Sequence, residues 1–168
     1  MSAIHSPSAP GHRASGDIDW QVRSFDQIDG PALYQLLALR SQVFVVEQNC
    51  VFQDMDGFDA VALHLMGYTT QPEGQPVLQA YARCFAPGVK MPEASIGRVL
   101  TAQEARGTGM GHRLIAKALE LVQQQWGATP IRIGAQMHLG AFYAQHGFVA
   151  TGQPYMEDGI EHIEMLRA

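Results

Sequence analysis

A mixed α/β fold, with a mainly antiparallel central sheet flanked by helices, is predicted here by three observations. The apolar patterns switch between strand and helix periods in the order β, α, βββ, α, β, α, ββ. From about residue 17 they follow one another with no linker between them. Three glycines at alternate positions, Gly107, Gly109 and Gly111, open the longest amphipathic pattern in the chain.

Each element has its own local reason. The segment IDWQVRSF alternates as a half-buried strand does. PALYQLLALRSQVFVVEQ begins with Pro31, suited to a first helical turn, and carries apolar residues at helical spacing. VALHLMGYT and PVLQAYARCFA read as neighbouring strands joined through the turn-rich TQPEGQ. ASIGRVLTA is a further strand, and the glycines lead from it into the helix HRLIAKALELVQQQW, which Gly127 ends from the left-handed region. PIRIGAQ is a short strand and LGAFYAQHG a short helix. FVATGQPYM and IEHIEMLRA close the chain as a hairpin, with Asp158-Gly159 as its turn.

Composition narrows the function. The 168 residues suit one domain, here 17–168, preceded by a Ser-, Pro- and Gly-rich leader over 1–16 that lacks apolar periodicity. A net charge of −5 gives no basic footprint for nucleic acid. With no signal peptide and no run of ~18 apolar residues, a cytoplasmic protein without a membrane partner is expected. Cys50 and Cys84 stand far apart outside any CxxC spacing and read as two reduced thiols. No HExxH or carboxylate triad accompanies the histidines, so no metal is expected. A homodimer is compatible with all of this.

The glycines carry the chemistry. Each costs about 1 kcal/mol relative to Ala inside a helix, so their clustering needs a reason. Glycine permits positive φ, which lets backbone amides converge on an anion, and a helix N-terminus adds partial positive charge. The result suits a diphosphate. A P-loop would need GxxxxGK[ST], and no Lys-Ser or Lys-Thr follows. A dinucleotide fingerprint would need GxGxxG opening a βαβ unit, whereas this chain has GxGxG past its middle. There remains Arg-x-x-Gly-x-Gly, Arg106 to Gly111, directly after a strand. This resembles the pyrophosphate-binding motif of the GCN5-related N-acetyltransferases (GNAT superfamily). AFYAQHGF, 141–148, resembles the later signature of that superfamily, and LRSQVFVVEQNC, FQDMDGFD, IGRVL and EDGIEHIEM resemble its ElaA-like subgroup.

The resemblance implies a GNAT fold and transfer of an acetyl group from acetyl-CoA to a primary amine, on a small molecule or a protein. Val99 and Thr101 would lend backbone groups to the pantetheine arm where their strand splays from its neighbour, with the Val99 amide facing the thioester oxygen. The amides of Gly107, Thr108, Gly109, Gly111 and His112 would hold the pyrophosphate, with Arg106 adding charge. Tyr143 falls where many members donate a proton to the departing thiolate. Gln136 stands where many members place an asparagine, so that contact does not carry over unaltered. A binding-only acyl-CoA sensor with the same fold is the alternative, and it would need neither Tyr143 nor a base.

An alkyl amine, with a pKa near ~10.4, must lose a proton before attack. Several residues compete for that work. Arg40 and Glu47 are seven apart on the first helix, hence on one face. They are either a partly buried ion pair or helix cap, or a polar wall of the acceptor pocket with Glu47 as base, directly or through water. His64, alone in an apolar strand, reads as a hydrogen-bonded core residue or as an acceptor contact. His162 shares a strand face with Ile160 and Glu164 near the expected acceptor site. Glu157 and Asp158 are most simply turn residues. Cys50 as a nucleophile is unnecessary, because the amine can attack the thioester directly.

Overall fold

The computed structural model describes residues 18–70 and 74–168. The leader expected over 1–16, and part of the turn between the second and third strands, lie outside them. The described elements run in the order expected: β1 Asp19–Ser24, α1 Gly30–Arg40, β2 Leu63–Thr70, β3 Pro76–Phe85, β4 Ala94–Thr101, α2 Met110–Trp126, β5 Ile131–Gln136, α3 Gly140–Ala144, β6 Val149–Glu157 and β7 Ile160–Arg167. The strands form one sheet in the order β1-β2-β3-β4-β5-β7-β6. All neighbours are antiparallel except β4 and β5.

Local chemistry sets the boundaries. The Asp29 carboxylate accepts from the Ala32 amide at 2.8 Å and caps α1, with Pro31 in the first turn. Gly127 ends α2 with φ 75°, its amide donating to Gln123 O at 3.0 Å. Asp158 and Gly159 both take positive φ, 50° and 80°, the turn that matches the twist of the β6–β7 hairpin.

Two cores lie on opposite faces of the sheet. On one, Leu114, Ile115, Ala118, Leu121 and Val122 of α2 bury against Ala80, Ala82 and Cys84 of β3. Truncating a fully buried leucine such as Leu114 to alanine would cost about 2–5 kcal/mol. On the other, Leu36 of α1 meets Met66, Tyr68, Tyr81 and Leu100. Burial pushes the Cys84 thiol up to about 12, so it stays a neutral core residue.

The first helix does not continue as an α-helix. Residues Ser41–Glu47 form a π-helical segment, whose wider turns carry the following side chains out of α-helical phase. The expectation that Arg40 and Glu47 share a face is therefore corrected. Arg40 is fully buried, donating to Asp54 Oδ2 at 2.7 Å and Asp59 Oδ1 at 2.6 Å. Arg83, also fully buried, forks onto Asp56 with two bonds of 2.7 Å, and Arg98 donates to Asp54 Oδ1 at 2.7 Å. This network ties the loop carrying FQDMDGFD to the sheet. Removing Asp54 would leave Arg40 buried without that partner, a loss of about 3–5 kcal/mol.

Candidate functional site

The two parallel strands part almost at once. β4 and β5 pair only at Ala94–Ile131 and Ser95–Arg132, leaving the rest of each edge open to a wedge. On its other side β4 stays paired with β3, through a bulge in which Arg98 and Val99 oppose Ala82 alone. Arg98 takes φ 49° there, a conformation that costs a non-glycine residue about 1–2 kcal/mol. Its bonds to the Asp54 carboxylate (2.7 Å) and carbonyl (3.0 Å) hold it in place.

Past the bulge, the Ala102 amide donates to Gln79 O at 2.8 Å, which makes Ala80–Thr101 a non-hydrogen-bonded pair. The N–H and C=O of Thr101 consequently turn away from β3 and into the wedge. An extended ligand with amide groups could pair with that edge as an added strand would.

At the mouth of the wedge lies the glycine turn. Gly107 and Gly109 have φ 74° and 81°, and a Cβ on either would meet nothing within 4 Å. Their requirement is conformational, not steric. Gly109 caps α2 and its carbonyl accepts from the Arg113 amide, so the amides of Met110, Gly111 and His112 have no partner inside the helix. Thr108 Oγ1 donates to Ala105 O at 2.7 Å and braces the turn. Gly111 faces α3, where a Cβ would stand 3.4 Å from the Phe142 ring. His112 packs on Phe142 with ring centroids 4.8 Å apart and shares a hydrogen bond of 2.9 Å with His146.

Tyr143 is buried between Phe142 and Phe148, with centroids 5.1 and 5.9 Å away. Burial pushes its phenol up to about 12, and its hydroxyl makes no hydrogen bond among the described residues.

The far side of the wedge gathers a second group of polar side chains. Gln136, at the end of β5, donates to Gln48 Oε1 at 3.2 Å, which brings the end of the π-helical segment to the sheet. Cys50 donates from Sγ to Asp158 O at 3.2 Å and ties the same segment to the β6–β7 hairpin. His162 sits opposite both Gln136 and Tyr155 in register. Its ring stacks on that of Tyr155, and its Nδ1 bonds Ile160 O at 2.9 Å, leaving Nε2 for another partner. Glu47 reaches toward the wedge, where its carboxylate accepts from Arg106 Nη2 at 2.6 Å.

The structure thus brings Glu47, Gln136 and His162 together with the glycine turn, but not Arg40 or His64. His64 is fully buried, its Nδ1 2.7 Å from the Tyr81 hydroxyl and its Nε2 2.9 Å from Asp59 O. Burial lowers its pKa. Both residues belong to the charged network behind the wedge, and neither has a free polar atom to offer an acceptor. Sequence reasoning missed Gln48 and Tyr155, which complete the polar group, and Arg98 with Asp54, which hold the bulge. The signal for the last two was that FQDMDGFD carries three aspartates and that Arg98 interrupts an otherwise uncharged strand.

The family described as Acetyltransferase (GNAT) domain matches residues 86–167, from the end of β3 to the end of the sheet. Protein ElaA of Escherichia coli is 40% identical over 152 residues, covering 89% of this chain and 96% of that protein. A UPF0039 protein of Synechocystis is 42% identical over 150 residues, covering 89% and 95%. The crystal structure of an acyl-CoA N-acyltransferase from Pseudomonas aeruginosa superposes with a TM-score of 0.82 at 40% identity, covering 90% of this chain and all of the other.

Proposed function

The chain belongs to the GNAT acyltransferase family, in its ElaA-like group, and from that premise we propose that residues 17–168 form one domain transferring an acetyl group from acetyl-CoA to a primary amine. The observation that carries this reading is the open β4 edge ending at the glycine turn. A polar strand edge and a cluster of unpartnered helix amides stand end to end, which matches a ligand with an amide-bearing arm and a diphosphate. The acyl-CoA N-acyltransferase named in the similar crystal structure fits the same reading.

In this proposal Thr101 pairs with the pantetheine amides, and the Val99 amide donates to the thioester oxygen as charge develops there. The amides from Gly107 to His112, with Arg106, neutralise the diphosphate. Glu47 takes the amine proton directly or through water, while His162 Nε2 is the second group able to do so. Gln136 and Gln48 orient the acceptor. Tyr143 donates a hydrogen bond to the leaving sulfur. No acyl-cysteine is required: Cys50 is occupied with Asp158 O, and Cys84 is buried in the core beneath α2.

Incubating the protein with acetyl-CoA and a panel of small amines and amine-bearing peptides, and titrating free thiol, tests the reading. Amine-dependent release of CoA is expected for at least one acceptor. Tight binding of acetyl-CoA with no release above hydrolysis across the panel would favour the binding-only alternative instead.

A further inference from the structure

Arg106 stands between the two halves of the site. Its Nη2 donates to the Glu47 carboxylate at 2.6 Å and to Thr101 O at 3.2 Å, with Nε a further 3.4 Å from the same carbonyl. The guanidinium therefore caps the backbone group that the open strand edge would offer a donor, and neutralises the carboxylate that would accept the amine proton. Both partners belong to the reaction, and one cation holds both.

We infer that Arg106 is a gate that donor binding opens, a positioning residue coupling the diphosphate to the base. The inference rests on the reading of the glycine turn as the diphosphate site. Arg106 immediately precedes that turn, and its side chain is 43% exposed, so rotation of its own χ angles suffices to carry the guanidinium there. Glu47 does not follow, because its neighbours Gln48 and Cys50 are tied to Gln136 and Asp158. A diphosphate carries more charge than one carboxylate and outbids it for the fork of donors. One movement then uncovers Thr101 O for the pantetheine arm and Glu47 for the incoming amine. With no donor bound, the same cation keeps Glu47 paired.

The consequence is unusual for a base: removing Glu47 should tighten donor binding, although the carboxylate does not bind the donor. Exposed ion pairs of this kind correspond to about two- to fivefold in an equilibrium constant. Titration calorimetry with CoA on the wild type, Glu47→Gln, Arg106→Gln and the double variant tests this. CoA should bind Glu47→Gln about two- to fivefold more tightly than wild type and Arg106→Gln more weakly. In the Arg106→Gln background, Glu47→Gln should change nothing.

An unchanged or weakened affinity in Glu47→Gln would overturn the gate. So would a tightening that persists without Arg106, since that is simple repulsion between carboxylate and diphosphate. If the wild type binds no CoA at all, the donor reading itself falls and the gate falls with it. Melting curves verify that each variant is folded, and Arg106→Met replaces Arg106→Gln if that variant is not.

Discussion

Tyr143 shows how burial limits what a single side chain can do. Its phenol, pushed up to about 12 by desolvation, lies about 3.5 units above the ~8.5 of an ordinary thiol. At 1.36 kcal/mol per unit, complete proton transfer to a thiolate would run uphill by about 5 kcal/mol, unless the leaving sulfur is itself raised by its surroundings. A hydrogen bond to the developing negative charge has no such cost and is worth about 1.5–3 kcal/mol. Replacing Tyr143 by Phe should thus lower kcat by about ten- to a hundredfold, with KM for acetyl-CoA within about twofold of wild type. Because Tyr143 stays protonated well beyond pH 9, the basic limb of the rate profile should keep its midpoint in the variant. Steady-state rates from pH 6 to 9.5 measure both quantities. A basic limb that disappears with the hydroxyl would make Tyr143 a true acid after all.

At the scale of elements, the sequence was most informative where a backbone need writes itself into residue type. Gly107 and Gly109 were legible because positive φ ahead of a helix leaves few alternatives, and the observed 74° and 81° are that need. Among the described residues, the strands and the three α-helices follow the order read from the apolar patterns and turn signals, most plainly α2, whose buried Leu114, Ile115, Ala118, Leu121 and Val122 recur at helical spacing. The π-helical segment was not legible, because widening a turn changes no residue's polarity, and the error displaced Glu47 from the face of Arg40. The Arg106–Glu47 pair was equally hidden, since its members lie 59 residues apart and only the folded sheet brings them together. The glycine turn offers a direct test at this scale. Gly109→Val forces a β-branched residue to φ 81°, at a cost of about 1–2 kcal/mol. For a chain of this size that is a melting temperature lower by about 2–8 °C. The fold should survive, because a side chain there meets nothing, while binding of CoA should be lost. Calorimetry and a melting curve on the same sample separate the two effects, and undiminished affinity would remove the diphosphate from this turn.

For the whole molecule, the charged network behind the wedge makes stability depend on pH in two stages. Burial alone would raise the Asp56 carboxyl, but the hydrogen bonds and charge of Arg83 outweigh it and hold the group below the usual carboxylate range. Its contribution is therefore complete above the unfolded value near ~3.9 and is lost as pH falls through the lower folded value. His64 acts earlier. Burial lowers its pKa, so below about 6.5 the unfolded chain binds a proton that the folded chain refuses, and stability declines as pH falls. His146 is lowered in the same direction, by partial burial and then by the neighbouring charges of His112 and Arg167. The melting temperature should fall between pH 7.5 and 5, with His64 contributing more than the more exposed His146, and fall again below about pH 4. His64→Gln can still hydrogen-bond Tyr81 or Asp59 but cannot titrate. Its curve should be lower at pH 7.5 yet flatter down to pH 5, with the acid stage near pH 4 intact. An equally steep fall in that variant would assign the first stage to His146 and the surface instead. Arg40, Arg83, Arg98 and their three aspartates both fix the bulge beside the wedge and bury His64. Folded, His64 stays neutral through the first stage, so no third cation is added beside Arg40 and Arg83 until the pH falls below its lowered folded value. Through His64, the affinity of the folded protein for CoA should accordingly hold across the window of the first stage, and calorimetry with CoA from pH 7.5 to 5 beside the melting curves checks that the two do not fall together.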